Sequence, residues 1–184
     1  MKGILIYKGK YGATQQYAEW IGDELQLPVF KNDSLRADEW NKNDFIVIGS
    51  SVYEGKLLLN GWLKRNIPDL LNKNIFLFIV CATPADQKEK VDQIVLQNVP
   101  AILRNQCTIF FLRGRVVIKD LSWLDGLMLK MAARFTKDPE EKKGMTQGFD
   151  AVKKENILPL VNAVKAVQSQ PVTKEGVPDL SGSD

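Results

Sequence analysis

The stretch YKGKYGATQQYAE, residues 7–19, decides how the fold is interpreted, because two different patterns meet in it. The apolar run that it closes, residues 3–7, has the length of a short buried strand. From Thr14 to Leu25, apolar side chains recur at the spacing of a helix face. The glycine-bearing loop 8–14 joins the two. The order predicts a strand, a tight turn and a helix, and the turn is either a plain connection or a phosphate site.

Four more apolar runs follow along the chain. Those at 44–50, 74–81 and 107–112 are apolar throughout, as parallel strands buried on both faces are. The run 28–31 is short and more polar, which is typical of an edge strand. This set predicts five strands, with 28–31 at one edge.

Helical spacing separates most of these runs. It recurs over 61–71, over 85–103, where Pro100 is expected to kink or split the helix, and over 149–167. One further turn is expected around 36–40. Alternating strands and helices predict an α/β doubly wound fold. We expect one domain over residues 1–168 and a disordered tail over 169–184, which is polar and rich in Pro, Gly and Ser.

Composition restricts the kinds of protein and site that are plausible. The chain has 184 residues, a net charge of +3 and no histidine, so Ser-His-Asp and Cys-His catalytic pairs and histidine metal sites are excluded, and no metal is expected. Cys81 and Cys107 lie in apolar runs and are expected to be reduced and buried. No apolar run reaches the length of a membrane span, and the N-terminal apolar run, residues 3–7, is too short for a signal-peptide core. We expect a cytoplasmic protein.

The loop after the first run has the features of a phosphate site. Gly9 and Gly12 allow close approach of the backbone, and Thr14 caps the next helix or donates its hydroxyl to an anion. The loop contains neither the GxxxxGK[ST] pattern of nucleoside triphosphate sites nor the GxGxxG pattern of dinucleotide sites. A single terminal phosphate fits the loop best.

Three segments carry a resemblance to a known family. ILIYKGKYGATQQYAEWI (4–21) and DFIVIGSSVYEGK (44–56) resemble the phosphate loop and the third-strand segment of flavodoxins. The resemblance covers residues 1–168. It implies a flavodoxin-like five-stranded parallel sheet in the order 2-1-3-4-5, with helices on both faces and FMN at the strand ends. FLRGRVVIKDLSWLDGLMLKMAARF (111–135) resembles a segment of the flavodoxin-like proteins related to menaquinone-dependent protoporphyrinogen oxidase.

The resemblance also implies which residues bind FMN. The phosphate would be held by Gly9, Lys10, Tyr11, Gly12, Ala13 and Thr14, where Lys8 or Lys10 supplies charge in place of the hydroxyl groups usual in the family. The ring would lie against Ser50, Ser51, Val52, Tyr53, Glu54 and Gly55. Tyr53 either stacks on the ring or is a surface tyrosine that covers the strand end. The backbone of Ala82, Thr83 and Pro84 would flank the other face, which lacks a tyrosine and is left open to a substrate. Glu140 and Glu141 fit a solvated charged loop, and no catalytic side chain is assigned, because FMN itself transfers the electrons.

The segment 113–135 is a basic amphipathic insertion with four alternative explanations. It is a helix covering the last strand, a membrane-surface element, a dimer contact, or the wall of a pocket for an apolar acid such as a porphyrin. The resemblance implies an FMN-dependent oxidoreductase related to protoporphyrinogen oxidase of heme biosynthesis. Its partners would be a redox protein, a quinone or a porphyrinogen, and no nucleic acid. The chain would then lie in the cytoplasm or at the inner face of the cell membrane. The alternatives are a low-potential electron carrier, which the absence of strong acidity disfavours, and a flavin-free partner-binding module.

Overall fold

The structure is a computed structural model that describes residues 1–34, 37–84 and 86–169. Its strands are β1 (Gly3–Lys8), β2 (Val29–Lys31), β3 (Phe45–Tyr53), β4 (Lys56–Leu57), β5 (Asn74–Cys81), β6 (Cys107–Arg113), β7 (Arg115–Val116) and β8 (Phe149–Asp150). Its helices are α1 (Ala13–Leu25), α2 (Ala37–Trp40), α3 (Asn60–Arg65), α4 (Ile67–Leu70), α5 (Lys88–Asn98), α6 (Ala101–Arg104), α7 (Trp123–Phe135), α8 (Pro139–Gln147) and α9 (Leu158–Gln168). Short 3-10 turns lie at Asn32–Ser34, Ile118–Asp120 and Lys154–Ile157.

The central sheet has the predicted topology. Its parallel strands run in the order β2-β1-β3-β5-β6, which is the expected order 2-1-3-4-5 once the two-residue strand β4 is left out of the count. β4 pairs antiparallel with the end of β3 and raises the number of strands in the sheet to six. The expectation that 107–112 is buried on both faces is wrong, because β6 lies at the second edge of the sheet and is only partly buried.

Two apolar layers cover the two faces of the sheet. On one face, α1 and α9 pack against alternate residues of β1, β3 and β5, with Tyr17, Phe45 and Phe78 fully buried. On the other face, α2 to α6 cover the remaining residues of the same strands, around Trp40 and Leu63. Burial on both sides explains why the central strands are apolar throughout rather than alternating.

Three predicted helices differ from the structure. The helix expected over 61–71 is two short helices that meet at Asn66, since Pro68 in the first turn of α4 cannot extend a continuous helix. The helix expected over 85–103 begins only at Lys88 and is split at Pro100, as predicted. The helix expected over 149–167 begins at Leu158, because Phe149–Asp150 pairs with β7 to form a second, two-stranded sheet.

Some other expectations are corrected or lie outside the described residues. β3 continues through Tyr53, so most of the expected loop 50–55 is strand. Both cysteines are free, but Cys107 is only half-buried. Arg36, Ala85 and the tail from 170 to 184 lie outside the described residues, and so do the side chains of Glu140 and Glu141.

Candidate functional site

The predicted site residues meet at the edge of the sheet where the parallel strands end. The register pairs Lys8 with Ser50 and Ser51 with Val80, and it pairs Cys81 with Arg113. The segments that follow β1, β3, β5 and β6 therefore leave the sheet side by side. Residues 8–14, 50–55 and 82–84 are named the first, second and third loops. In doubly wound sheets this edge, where the strand order reverses, is where ligands bind.

A cavity of about 330 Å³ lies at this edge. Nine of the predicted site residues line it: Lys10, Tyr11, Ala13, Thr14, Ser51, Val52, Tyr53, Glu54 and Ala82. The segment after β6 and the helix α7 form the opposite wall, through Gly114, Arg115, Val116, Val117, Asp120, Leu121, Asp125, Met128, Leu129 and Ala132. Its volume is in the range of small-molecule sites, which is roughly 300–1,000 Å³.

The other six predicted residues do not line this cavity. Gly9 and Gly12 shape the first loop from outside it, and Gly55 lies in a turn. The Ser50 hydroxyl is buried and accepts a hydrogen bond from the Leu59 amide at 3.2 Å. Thr83 and Pro84 line a second cavity of about 400 Å³, which shares Ala82, Val116 and Leu129 with the first. The third loop therefore borders both cavities.

The start of α1 has features of an anion site. Its N-cap is Gly12, in the left-handed conformation (φ 80°), with no side-chain cap and no acidic residue in the first turn. The first amides of a helix lack intrahelical acceptors and carry partial positive charge. Thr14 is thus not the cap; it lies buried in the first turn. Gly9 fits closely against it, since a Cβ at Gly9 would lie 2.6 Å from the Thr14 Cβ. Any larger residue at position 9 would displace the loop.

The two lysines of the first loop have carboxylate partners. Lys8 contacts Asp33, with Nζ 3.2 Å from Oδ1, and so faces away from the cavity. Its expected role at a phosphate is therefore not supported. The Lys10 ammonium donates to Asp125 Oδ2 at 2.8 Å and lies 3.7 Å from the centre of the Tyr53 ring. Lys10 thus lies between α7 and the second loop.

Asp125 joins three segments of the cavity wall. Besides Lys10, it accepts hydrogen bonds from the hydroxyls of Tyr11 and of Tyr53, the latter at 2.5 Å. The hydrogen bond from Lys10, followed by those of the two tyrosines, holds the pKa of the Asp125 carboxyl well below its usual range. Desolvation is the largest single influence and lowers the pKa of Lys10, but the interactions with Asp125, Tyr53 and Tyr11 together outweigh it and the net pKa is raised. The same carboxylate raises the pKa of Tyr53 and keeps its hydroxyl protonated.

The sequence pattern around Asp125 indicates a helix cap rather than a site residue. Ser122 and Asp125 have the spacing of a capping box at the start of α7, and the Ser122 hydroxyl does accept from the Asp125 amide at 3.2 Å. A helix-start carboxylate usually reaches back to the cap, but here it reaches across to the first and second loops. That partner set depends on tertiary structure, so the sequence pattern alone could not supply it.

Arg115 is a second site residue that sequence reasoning did not assign. A Cβ built on Gly12 would lie 3.5 Å from Arg115 Nη2, so the guanidinium lies beside the start of α1. It donates to Gln16 Oε1 at 3.1 Å and lies 3.7 Å from the Asp150 carboxylate. A guanidinium has five N–H donors, and these contacts engage only some of them. Its basic character was visible in the sequence, but its position beside Gly12 is a tertiary contact between residues far apart in the chain.

The second loop is a tight hairpin turn held by Asn98. Glu54 (φ 50°) and Gly55 (φ 74°) connect β3 to β4, and positive φ at both residues is the signature of a type I′ turn. The buried amide of Asn98 donates to the Gly55 carbonyl and accepts from the Leu57 amide, both at 2.9 Å. Asn98 therefore fixes the turn that presents Tyr53 and Glu54 to the cavity.

Two small polar groups complete the wall. The Ser51 hydroxyl is buried and has no hydrogen-bond partner among the described residues. Such a group is costly unless a bound molecule or water satisfies it. Burial raises the pKa of the Cys81 thiol, whose sulfur donates to the Thr83 carbonyl at 3.4 Å. Cys81 is therefore a protonated wall residue rather than a thiolate nucleophile.

Comparison with known families gives one match over most of this architecture. A profile of the flavodoxin domain matches residues 4–143, which include β1, the first loop, the hairpin turn and the third loop. No curated protein matches the chain.

Several solved structures are similar to this chain at low identity. A flavodoxin from the domain Archaea is 16% identical, with 90% of this chain and 99% of that chain covered and a TM-score of 0.44. A flavoprotein in complex with FMN from Lactobacillus acidophilus NCFM is 16% identical, with 61% of this chain and 91% of that chain covered and a TM-score of 0.42. A flavo di-iron protein variant from Thermotoga maritima is 13% identical, with 90% of this chain and 35% of that chain covered and a TM-score of 0.47.

Proposed function

Because this chain belongs to the flavodoxin domain family, we propose that it binds FMN in the 330 Å³ cavity and acts as an oxidoreductase. One observation carries the proposal: the three segments after β1, β3 and β5 meet around this cavity beside an uncapped helix start. A helix start favours the phosphate, and a cavity with apolar and aromatic walls favours a flat ring. Both parts of the cofactor therefore have a matching surface.

The phosphate would be held by backbone amides and by one cation. The amides at the start of α1 are the donors, and the close packing of Gly9 on Thr14 holds the loop that presents them. Arg115, beside Gly12, supplies a planar guanidinium that pairs well with phosphate oxygens. This cation compensates for the hydroxyl groups that the loop lacks.

The ring would lie between the second and third loops. Tyr53 offers an aromatic face that the Lys10 ammonium covers in this structure. Stacking of the ring on Tyr53 therefore requires the Lys10 ammonium to move aside, which rotation of its long side chain allows. The orphan Ser51 hydroxyl supplies a hydrogen bond to a polar edge of the ring. When bound, FMN accepts and donates electrons singly or in pairs, which is chemistry that no side chain of this cavity provides. The protein orients the ring and, through Glu54 and Lys10, sets the charge around it.

Titration of the purified chain with FMN tests this proposal. We expect saturable binding of one FMN per chain, with quenched flavin fluorescence. Gly9→Ala is expected to weaken binding at least tenfold, because the new Cβ would displace the first loop. Gly126→Ala is the matched control, since a Cβ there meets no atom within 4 Å and the residue does not line the cavity. Absence of binding, or equal binding by the two variants, would contradict the proposal.

We further propose that the electron donor is an apolar acid of the porphyrinogen class and that a quinone accepts the electrons. The resemblance of residues 111–135 to the protoporphyrinogen oxidase relatives supports this substrate class. So does the cavity wall, where Leu121, Met128 and Leu129 line the same cavity as Arg115. Anaerobic mixing of the FMN-loaded protein with protoporphyrinogen should bleach the flavin, and menaquinone should restore it. Bleaching by protein donors alone would support an electron carrier instead.

A further inference from the structure

Helix α7 carries an unusual number of exposed apolar side chains. Six of its thirteen residues are large, apolar and exposed: Trp123, Leu124, Leu127, Met128, Met131 and Phe135. Trp123 is 76% exposed and Phe135 is 83% exposed. In the part of the chain that the structure describes, the other exposed large apolar residues are scattered over several elements. Single exposed apolar residues are ordinary, whereas a contiguous group marks an interaction surface.

The exposed residues form one face of the helix. At 3.6 residues per turn, the six side chains fall within an arc of about 140°. The opposite side bears Asp125, Leu129 and Ala132, which line the cavity, and Ala133, which is buried. The helix therefore turns most of its apolar face away from the protein, while Met128, at one end of the arc, also lines the cavity. Asp125 holds the other side in place through Lys10, Tyr11 and Tyr53.

Basic residues border this apolar face. Lys130 and Arg134 lie along one edge of the arc, and Lys119 and Lys137 lie just beyond the two ends of the helix. Between residues 118 and 137 the acidic residues are Asp120 and Asp125, and the charge of Asp125 is already balanced by Lys10. Within residues 118–137, the exposed face of α7 is therefore apolar at its centre and bordered by basic residues.

We propose that this face of α7 docks on an anionic lipid bilayer surface. An apolar face inserts at the boundary of the lipid headgroups, and basic side chains at its rim attract anionic headgroups. Trp123 at the start of the helix suits the membrane–water interface, where tryptophan is enriched. A second copy of the chain is a poorer occupant, because a two-fold contact on this face would bring Lys130 and Arg134 close to their own copies.

Helix length requires that α7 lie along the surface. Thirteen residues span about 20 Å, which is less than the roughly 30 Å of a bilayer core. Within residues 1–34, 37–84 and 86–169, no helix has the length and hydropathy needed to span a bilayer. The docked orientation would bring the α7 wall of the cavity close to the lipid. Docking itself does not depend on whether FMN is bound.

Vesicle binding tests the proposal on the purified chain without added flavin. We expect flotation with vesicles that contain phosphatidylglycerol, less flotation with pure phosphatidylcholine, and a decrease as salt screens the charges. Tryptophan emission, to which the exposed Trp123 contributes together with Trp20, Trp40 and Trp62, should shift to the blue on binding. Failure to float with phosphatidylglycerol vesicles at low salt would overturn the proposal. The FMN proposal would be unaffected, because flavin binding is measured separately.

Matched variants identify the surface responsible. Leu127→Ser with Met131→Ser should abolish flotation, whereas Leu96→Ser with Ile102→Ser, on α5 and α6, should leave it unchanged; all four side chains are at least half exposed. Lys130→Gln with Arg134→Gln should lower lipid partition roughly 30-fold. If the α7 variant and the α5–α6 variant lost flotation to the same extent, the proposal would be overturned. The proposal would also be overturned if analytical ultracentrifugation showed that the unsubstituted chain is a dimer and that only the variant Leu127→Ser with Met131→Ser is a monomer.

Discussion

Helices α1 and α7 have the same length of 13 residues but opposite orientations of their apolar faces. α1 buries Tyr17, Ala18 and Ile21 completely against the sheet. α7 exposes six large apolar side chains and turns a carboxylate, Asp125, toward the cavity. An amphipathic pattern thus predicts that a helix forms, but the neighbouring elements determine which face is buried.

The two helices are also held by different interactions. Burial of apolar surface holds α1, whose position ensures that its uncapped start faces the cavity. α7 packs against α8 and is linked to the first and second loops by hydrogen bonds and one ion pair at Asp125. We therefore expect α1 to be the rigid side of the site and α7 the side that responds to pH and to binding.

The largest expected difference between the two helices concerns stability. Leu25→Ala on α1 removes a side chain that is 5% exposed and should lower the free energy of unfolding by about 2–5 kcal/mol. Leu127→Ala on α7 removes one that is 50% exposed and should change it by no more than about 0.5 kcal/mol. Urea unfolding measures both. A similar loss in the two variants would mean that the face of α7 is buried in solution.

The next effect concerns the cation beside the start of α1. Arg115→Gln should weaken FMN binding roughly tenfold to a hundredfold, because a charge-assisted contact with the phosphate is lost. Arg134→Gln, on the exposed side of α7, removes the same charge and should leave FMN affinity unchanged. Isothermal titration compares them. If Arg115→Gln binds FMN as tightly as the unsubstituted chain, the guanidinium does not contact the phosphate.

Removal of the Asp125 carboxylate should loosen α7. Asp125→Asn leaves Lys10 without its partner, and we expect several-fold faster proteolysis within 121–137 with the rest of the chain intact. Asp120→Asn, which removes a charge from the same wall, should have little effect. Limited proteolysis followed by mass spectrometry locates the cuts. Equal rates for the two variants would show that Asp125 does not hold the helix.

The same network gives a pH dependence with a defined sign. The lowered pKa of Asp125 means that its contribution is complete above about pH 4 and is lost as the pH falls through the folded value. The raised pKa of Lys10 means that its contribution is complete below about pH 10 and is lost as the pH rises. The proteolysis difference between Asp125→Asn and the unsubstituted chain should therefore be constant near neutrality and shrink in acid.

The smallest effect concerns the turn opposite α7. Glu54→Gln removes a negative charge from the cavity wall and should raise the midpoint potential of bound FMN by about 20–50 mV. Glu89→Gln, in the first turn of α5 and outside the cavity wall, is the control. Redox titration measures both. A lower potential in Glu54→Gln would mean that this carboxylate does not act through its charge.

Local patterns were enough to predict the sheet and the first loop. The apolar runs are continuous because both faces of the central strands are covered, and the glycines mark a turn that only a short list of conformations allows. The helix and strand boundaries that were predicted wrongly depend on pairing partners distant in sequence. Phe149 and Asp150 form a strand only because β7 lies beside them, and β3 extends through Tyr53 because β4 pairs with it.

The residues that complete the candidate site were harder to predict for the same reason. Asn98 lies 41 residues from Leu57, and Asp125 lies 115 residues from Lys10. Each looks ordinary in its own helix, as a polar residue near the end of α5 and as a capping acid in α7. Their roles arise from contacts that the sheet topology creates, and a single sequence does not encode those contacts locally.

The central claim is that the amides at the start of α1 and the Arg115 guanidinium grip the phosphate of FMN. Titration of the chain with FMN and, in parallel, with riboflavin measures the contribution of that phosphate most directly. The account predicts that FMN binds at least a hundredfold more tightly, and that Arg115→Gln narrows the ratio by weakening FMN alone. Equal affinities for the two flavins, or no binding of either, would contradict it.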